Sequence, residues 1–518
     1  MNQDSTSLAR SAEGVAESRH AIQGQSNERS LGSLVGRGAM WAMLGNIIMR
    51  FASVAVTAVL ARLLSKEDFG VFAVSLAVYL VVASLAELGM ASAIARSPME
   101  PDDIAPTVTS ISILVSVGLG GAMAGFAPVL ALGLGQAEAV QPIRVLALCL
   151  VLTGFFAVPG AQLVREFRQD RIFLGTVVGF IVANPILILL AINGGGAMAF
   201  AWSRVIGQVA TGLVFVLSTS KRYRPGWRRP VVGPLLRFGI PLSVAGLVNW
   251  TLLNADYLIL GRLVDAAKVG VYMIAFNVAN WSTAVLGSVL NNVVVPAFGR
   301  VRSDKRRLAT SLTSASELVA LLALPVGAIT LALSGPIVIT LFGQKWQEAT
   351  PVLAVLSLYG ILYAFSLLYA NVLVATGKTL RLLLIQVAWV ATLVPAIVFG
   401  VRNWGLEGVG WAHVCTIGLI AVPAYAGAAL HATGQRLRRL LRAVLRPALA
   451  AGVAGLGAWL VSQAFDTQWM RLIAGGLIAG LLYVAGVAPI ALRHIPDKFV
   501  PSWLPSRWRN AAQISAAA

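Results

Sequence analysis

Long apolar stretches alternate with short polar ones along nearly the whole chain. Fourteen stretches stand out, at 38–61, 70–92, 106–133, 143–163, 172–192, 197–219, 239–261, 269–296, 310–333, 350–374, 380–400, 407–430, 443–464 and 470–492. A helix needs about 20 mostly apolar residues to cross the hydrocarbon of a bilayer. Each stretch therefore predicts a transmembrane helix. The breaks hold Gly, Pro and charge, as at Ser97-Pro98-Met99-Glu100 and Gly335-Pro336. The connectors are short and leave no room for a soluble catalytic or nucleotide-binding domain.

A second pattern is an echo 200 residues apart. Arg62-Leu63-Leu64 leads to Gly70-Val71-Phe72, and Arg262-Leu263-Val264 leads to Gly270-Val271-Tyr272. Arg37-Gly38 and Arg237-Phe238-Gly239 precede the first apolar stretch of each copy. A repeat of this length predicts two homologous halves, an architecture used by transporters with a site between the halves. Six stretches separate the copies. An even number makes the repeat parallel, with its axis along the membrane normal. The last two stretches lie outside the duplication. They are expected to form an appended hairpin, with Gly476 and Gly480 as its small-residue packing face.

Composition changes the picture little. The chain has 518 residues, 58% hydrophobic and 12% charged, whereas a soluble domain is about 25% charged. Its solvent is lipid, and the class is an all-α integral membrane protein of about fourteen helices. Two cysteines, Cys149 and Cys415, sit in apolar stretches and read as packing residues. Residues 1–36 are polar, with no apolar run of the kind a cleavable signal needs. They read as a disordered tail.

Charge orients the bundle. The net charge is +19, and most Lys and Arg fall on alternate connectors. The densest clusters are Lys221 to Arg237, Arg300 to Arg307 and Arg436 to Arg446. Basic connectors mark the cytoplasmic side, which places both termini there. Such loops set topology and touch anionic lipid heads, so nucleic acid is not the expected partner. The expected organisation is a tail at 1–36, an N-lobe at 37–220, a basic linker at 221–238, a C-lobe at 239–431, a basic loop and hairpin at 432–493 and a C-terminal tail at 494–518.

Several short motifs stand in a suggestive order. Asn254-Ala255-Asp256-Tyr257-Leu258-Ile259-Leu260-Gly261-Arg262-Leu263 is followed by Gly270-Val271-Tyr272, Val295-Pro296-Ala297-Phe298 and Leu341-Phe342-Gly343-Gln344-Lys345-Trp346. The first half contributes Ala61-Arg62-Leu63-Leu64, Asp68-Phe69-Gly70, Glu87-Leu88-Gly89-Met90 and Arg165-Glu166-Phe167-Arg168. Over about 35–430 the chain resembles polysaccharide exporters of the Wzx and colanic-acid-exporter type. Their superfamily also holds the MATE drug exporters and the lipid II flippases. The resemblance implies a V-shaped bundle of two six-helix lobes with alternating access. It also implies an undecaprenyl-pyrophosphate-linked oligosaccharide as substrate, in a bacterial inner membrane, alongside a glycan polymerase and glycosyltransferases of the same pathway.

Candidate chemistry lies inside the membrane, where a charge costs roughly 2.5–3.5 kcal/mol by insertion scales. Arg50 is mid-span, and its planar fork suits a pyrophosphate or an acidic sugar. A carboxylate or carbonyl of a neighbouring helix is the structural alternative. Asn46 lies on the same helix face. Arg204 is nearer a span end, where a snorkelling role is equally open. Asn249, Trp250 and Asn254 fall on the repeat partner of the first span, with Trp250 at the counterpart of Arg50; Asn277 lies on the next span. Asp256, Glu87 and Glu317 are candidate ion-coupling carboxylates. His413 reads as a lone packing residue. Ala375-Thr376-Gly377-Lys378-Thr379 ends like a phosphate loop but lacks its first Gly. No metal or cofactor site and no catalytic residue is expected. The alternative readings are an ion-coupled small-molecule exporter of the same fold and, lower, a membrane glycan polymerase or ligase.

Overall fold

A computed structural model describes residues 48–86, 100–289, 298 and 304–491. Every regular element among them is helical. In chain order they are α1 at 48–63, α2 Lys66–Ala86, α3 Pro101–Gly125, α4 Ala127–Gly133, α5 Val140–Arg165, α6 Gln169–Ile192 and α7 Gly196–Ser218. The second half follows with α8 Arg229–Leu263, α9 Ala266–Val289, α10 Lys305–Ala332, α11 Ser334–Phe342, α12 Ala349–Ala375, α13 Thr379–Thr416 and α14 Val422–Thr433. The chain then runs into α15 Leu437–Ser462 and α16 Gln468–Ala491.

Helix boundaries follow local chemistry. Pro101 opens α3, with Asp102 and Asp103 in its first turn, where Pro lacks no needed N–H and acids meet the helix dipole. The Asp304 carboxylate accepts the N–H groups of Arg306 and Arg307 at the start of α10, a side-chain cap of the usual kind. α14 ends at Gly434 in the left-handed conformation.

Ten helical stretches among the described residues are long and apolar enough to cross a membrane. One of them, Thr379–Thr433, has 55 residues, about 80 Å at 1.5 Å per residue and far more than one crossing needs. It reverses at Trp404 and Gly405, where the backbone leaves helical geometry. Gly405 has φ of +59°, which glycine adopts without steric cost. On either side of that turn Gly400 and Gly408 pack backbone on backbone. Leu477, Leu481 and Val484 on α16 are exposed, as lipid-facing side chains are. α8 starts at Arg229 rather than 239, because Leu235, with Val231, Val232 and Leu236 against it, packs on Ile104, Val108 and Val158 of α3 and α5.

The echo in the sequence is a contact in the structure. A Cβ on Gly70 would lie 1.7 Å from the Ala266 carbonyl oxygen, and one on Gly270 would lie 2.0 Å from that of Lys66. These contacts are reciprocal and related by the same shift of 200. Both pairs join the N-terminal turns of α2 and α9, so the two helices leave one shared end in the same sense. That is a two-fold arrangement along the helix direction, as a parallel repeat requires.

At the same end each half clasps the other. Arg62 donates to the Thr340 carbonyl at 3.0 Å and Arg262 to the Gly133 carbonyl at 2.9 Å. Gln136 donates to the carbonyls of Gly261 and Val264 at 3.1 and 3.2 Å. Trp346 and Lys345 donate to those of Ala61 and Leu64 at 2.8 and 2.7 Å. Ala61 and Gly261, and Leu64 and Val264, are again 200 residues apart. The last carbonyls of α1 and α8, which lack partners within their own helices, are thus satisfied by the opposite half. Trp346 is fully buried, edge-on to Phe69.

The C-terminal hairpin packs through a face one residue away from the expected one. Nothing lies near the Cα hydrogens of Gly476 and Gly480, whereas Gly475 meets Leu333 and Ala458. Ala479 and Tyr483 continue that stripe in a buried cluster with Leu321, Ala454 and Ala458, and Tyr483 donates to the Leu321 carbonyl at 2.9 Å. One residue along a helix is a rotation of about 100°, and small residues stand on both faces here, so spacing alone chose the wrong one.

Candidate functional site

A cavity of about 440 Å³ opens between α1, α2, α6 and α7 of the first half and α9 of the second. Its size is that of a small-molecule site. α7 supplies Ser203, Arg204, Gly207, Gln208 and Thr211, a stripe at helical spacing on an otherwise apolar helix. Ser53 and Thr57 of α1, Asn184 of α6 and Asn277 of α9 add polar groups, and Phe69, Phe72, Phe200 and Leu187 add apolar wall. Phe72 and Phe200 stack at 4.5 Å.

Two expected site residues, Arg204 and Asn277, therefore share one cavity. Arg204 is exposed into it and sits over the Tyr79 ring at 5.1 Å. The attraction between a guanidinium and an aromatic ring helps to fix the position of the arginine side chain. Asn277 donates to the Met273 carbonyl of its own helix at 2.9 Å, which leaves its oxygen to the cavity. Gln208, Thr211 and Asn184 were not singled out in the sequence. Their signal was the stripe running on from Arg204, which needed the whole helix face to be read together.

Arg50 stands one turn before Ser53 and two before Thr57, on the cavity-facing side of α1. It is half-buried, and Nη2 donates to the Asn280 carbonyl of α9 at 3.4 Å. Its Nε is buried without a partner. At 1.5 Å per residue Arg50 lies about 20 Å below the clasped end and Arg204 about 12 Å. The two cations thus stand at different depths below the clasped end, Arg204 in the cavity wall and Arg50 outside its lining. Asn46 and Glu87 lie outside the described residues, as does the side chain of Asn249. Trp250 is half-buried on α8, and Asn254 is buried and donates to the Trp250 carbonyl at 2.8 Å. Neither lines the cavity. Glu317 is half-buried on α10 and has a partner.

Asp256 belongs to a separate, closed centre in the second half. It is 2% exposed. The Tyr272 hydroxyl donates to its Oδ2 at 2.7 Å, and the Tyr257 N–H to its Oδ1 at 2.9 Å. His413, expected to stand alone, is part of the same group. Its Nε2 is 3.3 Å from the Tyr272 hydroxyl and 3.8 Å from Asp256 Oδ2, and its Nδ1 is buried without a partner. Phe276 and Tyr359 pack against the imidazole at 6.0 and 4.9 Å between ring centroids. A carboxylate, a phenol and an imidazole are thus drawn together in an aromatic shell. Such a group can hold or pass one proton, and desolvation makes its charge state consequential. No group of three or more metal-ligating side chains occurs among the described residues.

Comparison with known proteins places this geometry. Residues 59–351 match the model of a family described as "Polysaccharide biosynthesis protein". The chain belongs to that family. It is 26% identical over 464 residues to the succinoglycan biosynthesis transport protein ExoT of Rhizobium meliloti, covering 87% of this chain and 92% of that one. It is 25% identical over 380 residues to the lipopolysaccharide biosynthesis protein WzxC of Escherichia coli, covering 72% and 76%. Among solved structures, the lipid II flippase MurJ in an inward closed conformation superposes with a TM-score of 0.73 at 15% identity, covering 86% of this chain and 97% of MurJ. An inward-facing MATE multidrug transporter gives 0.60 at 18% identity, covering 76% and 98%. These likenesses establish the two-half transporter fold in this multi-pass family member.

Proposed function

We propose that the protein is a flippase that turns an undecaprenyl-pyrophosphate-linked oligosaccharide from the cytoplasmic to the outer leaflet of the bacterial plasma membrane. It serves cell-surface polysaccharide biosynthesis and acts by alternating access, as a transporter and not an enzyme. The carrying observation is the inter-helix cavity with Arg204 in its wall and Arg50 a turn below Ser53, deeper on the cavity-lining helix α1. Two guanidinium groups suit an anionic pyrophosphate or acidic sugar, while Gln208, Thr211, Asn184 and Asn277 suit sugar hydroxyls. The same cations disfavour a cationic drug, so the MATE-like neighbours bear on the fold alone. In this reading the basic linker end faces the cytoplasm, both termini lie on that side, and the clasped end faces outward. Glycosyltransferases supply the substrate and a glycan polymerase consumes it.

The test is Arg50→Ala and Arg204→Ala at matched membrane abundance. Each is expected to lower glycan export at least tenfold and to accumulate lipid-linked intermediate on the cytoplasmic side. Undiminished export in both variants overturns the assignment. We further infer that Asp256, with Tyr272 and His413, couples transport to a proton or sodium gradient, ahead of Glu317 and Glu87. In vesicles, Asp256→Asn is expected to remove the response to the imposed gradient. Gradient-independent transport by the parent protein overturns the coupling.

A further inference from the structure

The segment joining the two halves, 219–228, is not helical and is laid along the start of α3. Lys221 pairs with Asp102 at 2.6 Å and Arg228 with Asp103 at 2.5 Å. Tyr223 donates to Asp102. Burial and that acid push the Tyr223 phenol up to about 12, so it stays a donor. The Gly226 N–H donates to the Pro106 carbonyl at 3.1 Å, and Ser110 donates to the Gly226 carbonyl at 2.8 Å. These bonds use Asp102 and Asp103 and leave Arg222 with no ion pair or hydrogen bond to the described residues.

Beneath the segment is a cleft of about 140 Å³. Phe155, Val158, Pro159 and Val216 form its apolar walls, and Lys221 with Arg222 stands at its mouth. Its volume, about that of four or five waters at 30 Å³ each, suits part of one chain or head group rather than an oligosaccharide. The surroundings are those of a membrane interface. Phe167, on the neighbouring α5–α6 turn, is 87% exposed, and Trp227 is 55% exposed. Exposed aromatics among Arg and Lys mark the head-group level of a bilayer.

We propose that this cleft is a binding site for an anionic phospholipid, its phosphate held by Arg222 and Lys221 and the upper part of one acyl chain lying against Phe155 and Val216. Charge complementarity chooses the occupant. The mouth carries two cations, one of them already shared with Asp102, so an added anion finds Arg222 uncompensated. Each basic residue near an anionic surface adds about a fivefold preference. Because the segment joins the halves, the bound lipid holds this connection at the membrane surface.

The experiment uses the full-length protein in detergent with defined phospholipids, and native mass spectrometry counts the lipids retained. Wild type is expected to keep one phosphatidylglycerol at least about fivefold over phosphatidylcholine. Arg222→Gln removes the head-group contact without breaking any bond of the described residues, and Val216→Trp fills the cleft without touching charge. Both are expected to abolish the preference, while Arg438→Gln on another basic loop keeps it. Thermal unfolding of Arg222→Gln in lipid-free detergent should match wild type, because bound lipid would itself stabilise the native state. Retention of phosphatidylglycerol by both cleft variants, or equal retention of phosphatidylcholine by wild type, overturns the proposal. So does displacement of phosphatidylglycerol by undecaprenyl pyrophosphate at equal concentration, which would make the cleft part of the substrate path.

Discussion

At the scale of single residues, the most consequential side chains are polar groups that an apolar bundle has to accommodate. Asp256 was legible as an intramembrane acid, because a charge in a span is costly enough to demand a reason. Its partners were not. Tyr272 is 16 residues away and His413 is 141 residues beyond Tyr272, and nothing in linear spacing pairs them. His413 looked solitary for that reason alone. Tyr272→Phe tests the group, because it deletes the hydroxyl that reaches both Asp256 and His413 and leaves a buried carboxylate oxygen without its side-chain donor. An unsatisfied buried polar group costs about 1–3 kcal/mol, more when charged. The variant is expected to melt several degrees lower in detergent, and Asp256→Asn with Tyr272→Phe should lose less than the sum of the singles. Additive losses would mean that the two residues do not act together. Arg50 was legible in the same way as Asp256. The cavity wall beside Arg204 was not, since Gln208 and Thr211 are unremarkable one at a time and become a stripe only once α7 is seen to turn one face to the cavity.

At the scale of elements, the apolar stretches predicted nearly every helix, because crossing a bilayer demands length and hydrophobicity and little else. What they could not predict is where small residues let helices touch. Gly476 and Gly480 have the right spacing on the wrong face, while close approaches occur at Gly475, at Gly400 with Gly408, and at Gly70 and Gly270. The start of α8 was misplaced for a related reason. Its first turns are basic on one side and apolar on the other, and hydropathy averaged over a window hides a helix held by Leu235 against α3. Gly70→Ala puts a methyl 1.7 Å from the Ala266 carbonyl oxygen, too close for any rotamer to relieve, since Ala has none. The helices have to part by more than 1 Å to restore van der Waals contact. The expected outcome is a sharp fall in folded protein recovered from membranes, measured by fluorescence-detected size exclusion. Gly476→Ala, with open space before it, is expected to be recovered at wild-type yield. Equal yields for the two variants would mean that α2 and α9 do not approach as described.

At the scale of the whole molecule, two-fold reciprocity makes the clasped end a single closure made of two equivalent halves. Gln136 serves the end of α8 and Trp346 with Lys345 serves the end of α1, so neither half can leave without both sets of carbonyls losing donors. In an apolar surrounding that loss is costly, whereas water admitted on opening restores it, and the clasp is therefore bistable rather than elastic. The surface ion pair of Lys66 and Glu348 at 2.7 Å adds little, because Glu348 is largely exposed. The buried donors decide the balance. Gln136→Ala with Trp346→Phe deletes three hydrogen bonds, each worth about 0.5–1.5 kcal/mol net. Together they should shift the closed-to-open ratio about tenfold or more. Spin labels introduced by Glu138→Cys and Gln347→Cys, in a background lacking Cys149 and Cys415, would report the separation of the two segments that carry Gln136 and Trp346. Wild type is expected to give one short distance. The double variant is expected to gain a second, longer one, and each single variant should fall between them because both halves contribute. A distance distribution unchanged by the double variant would mean that hydrophobic packing around Phe69 and Phe200 holds this end shut without the polar clasp.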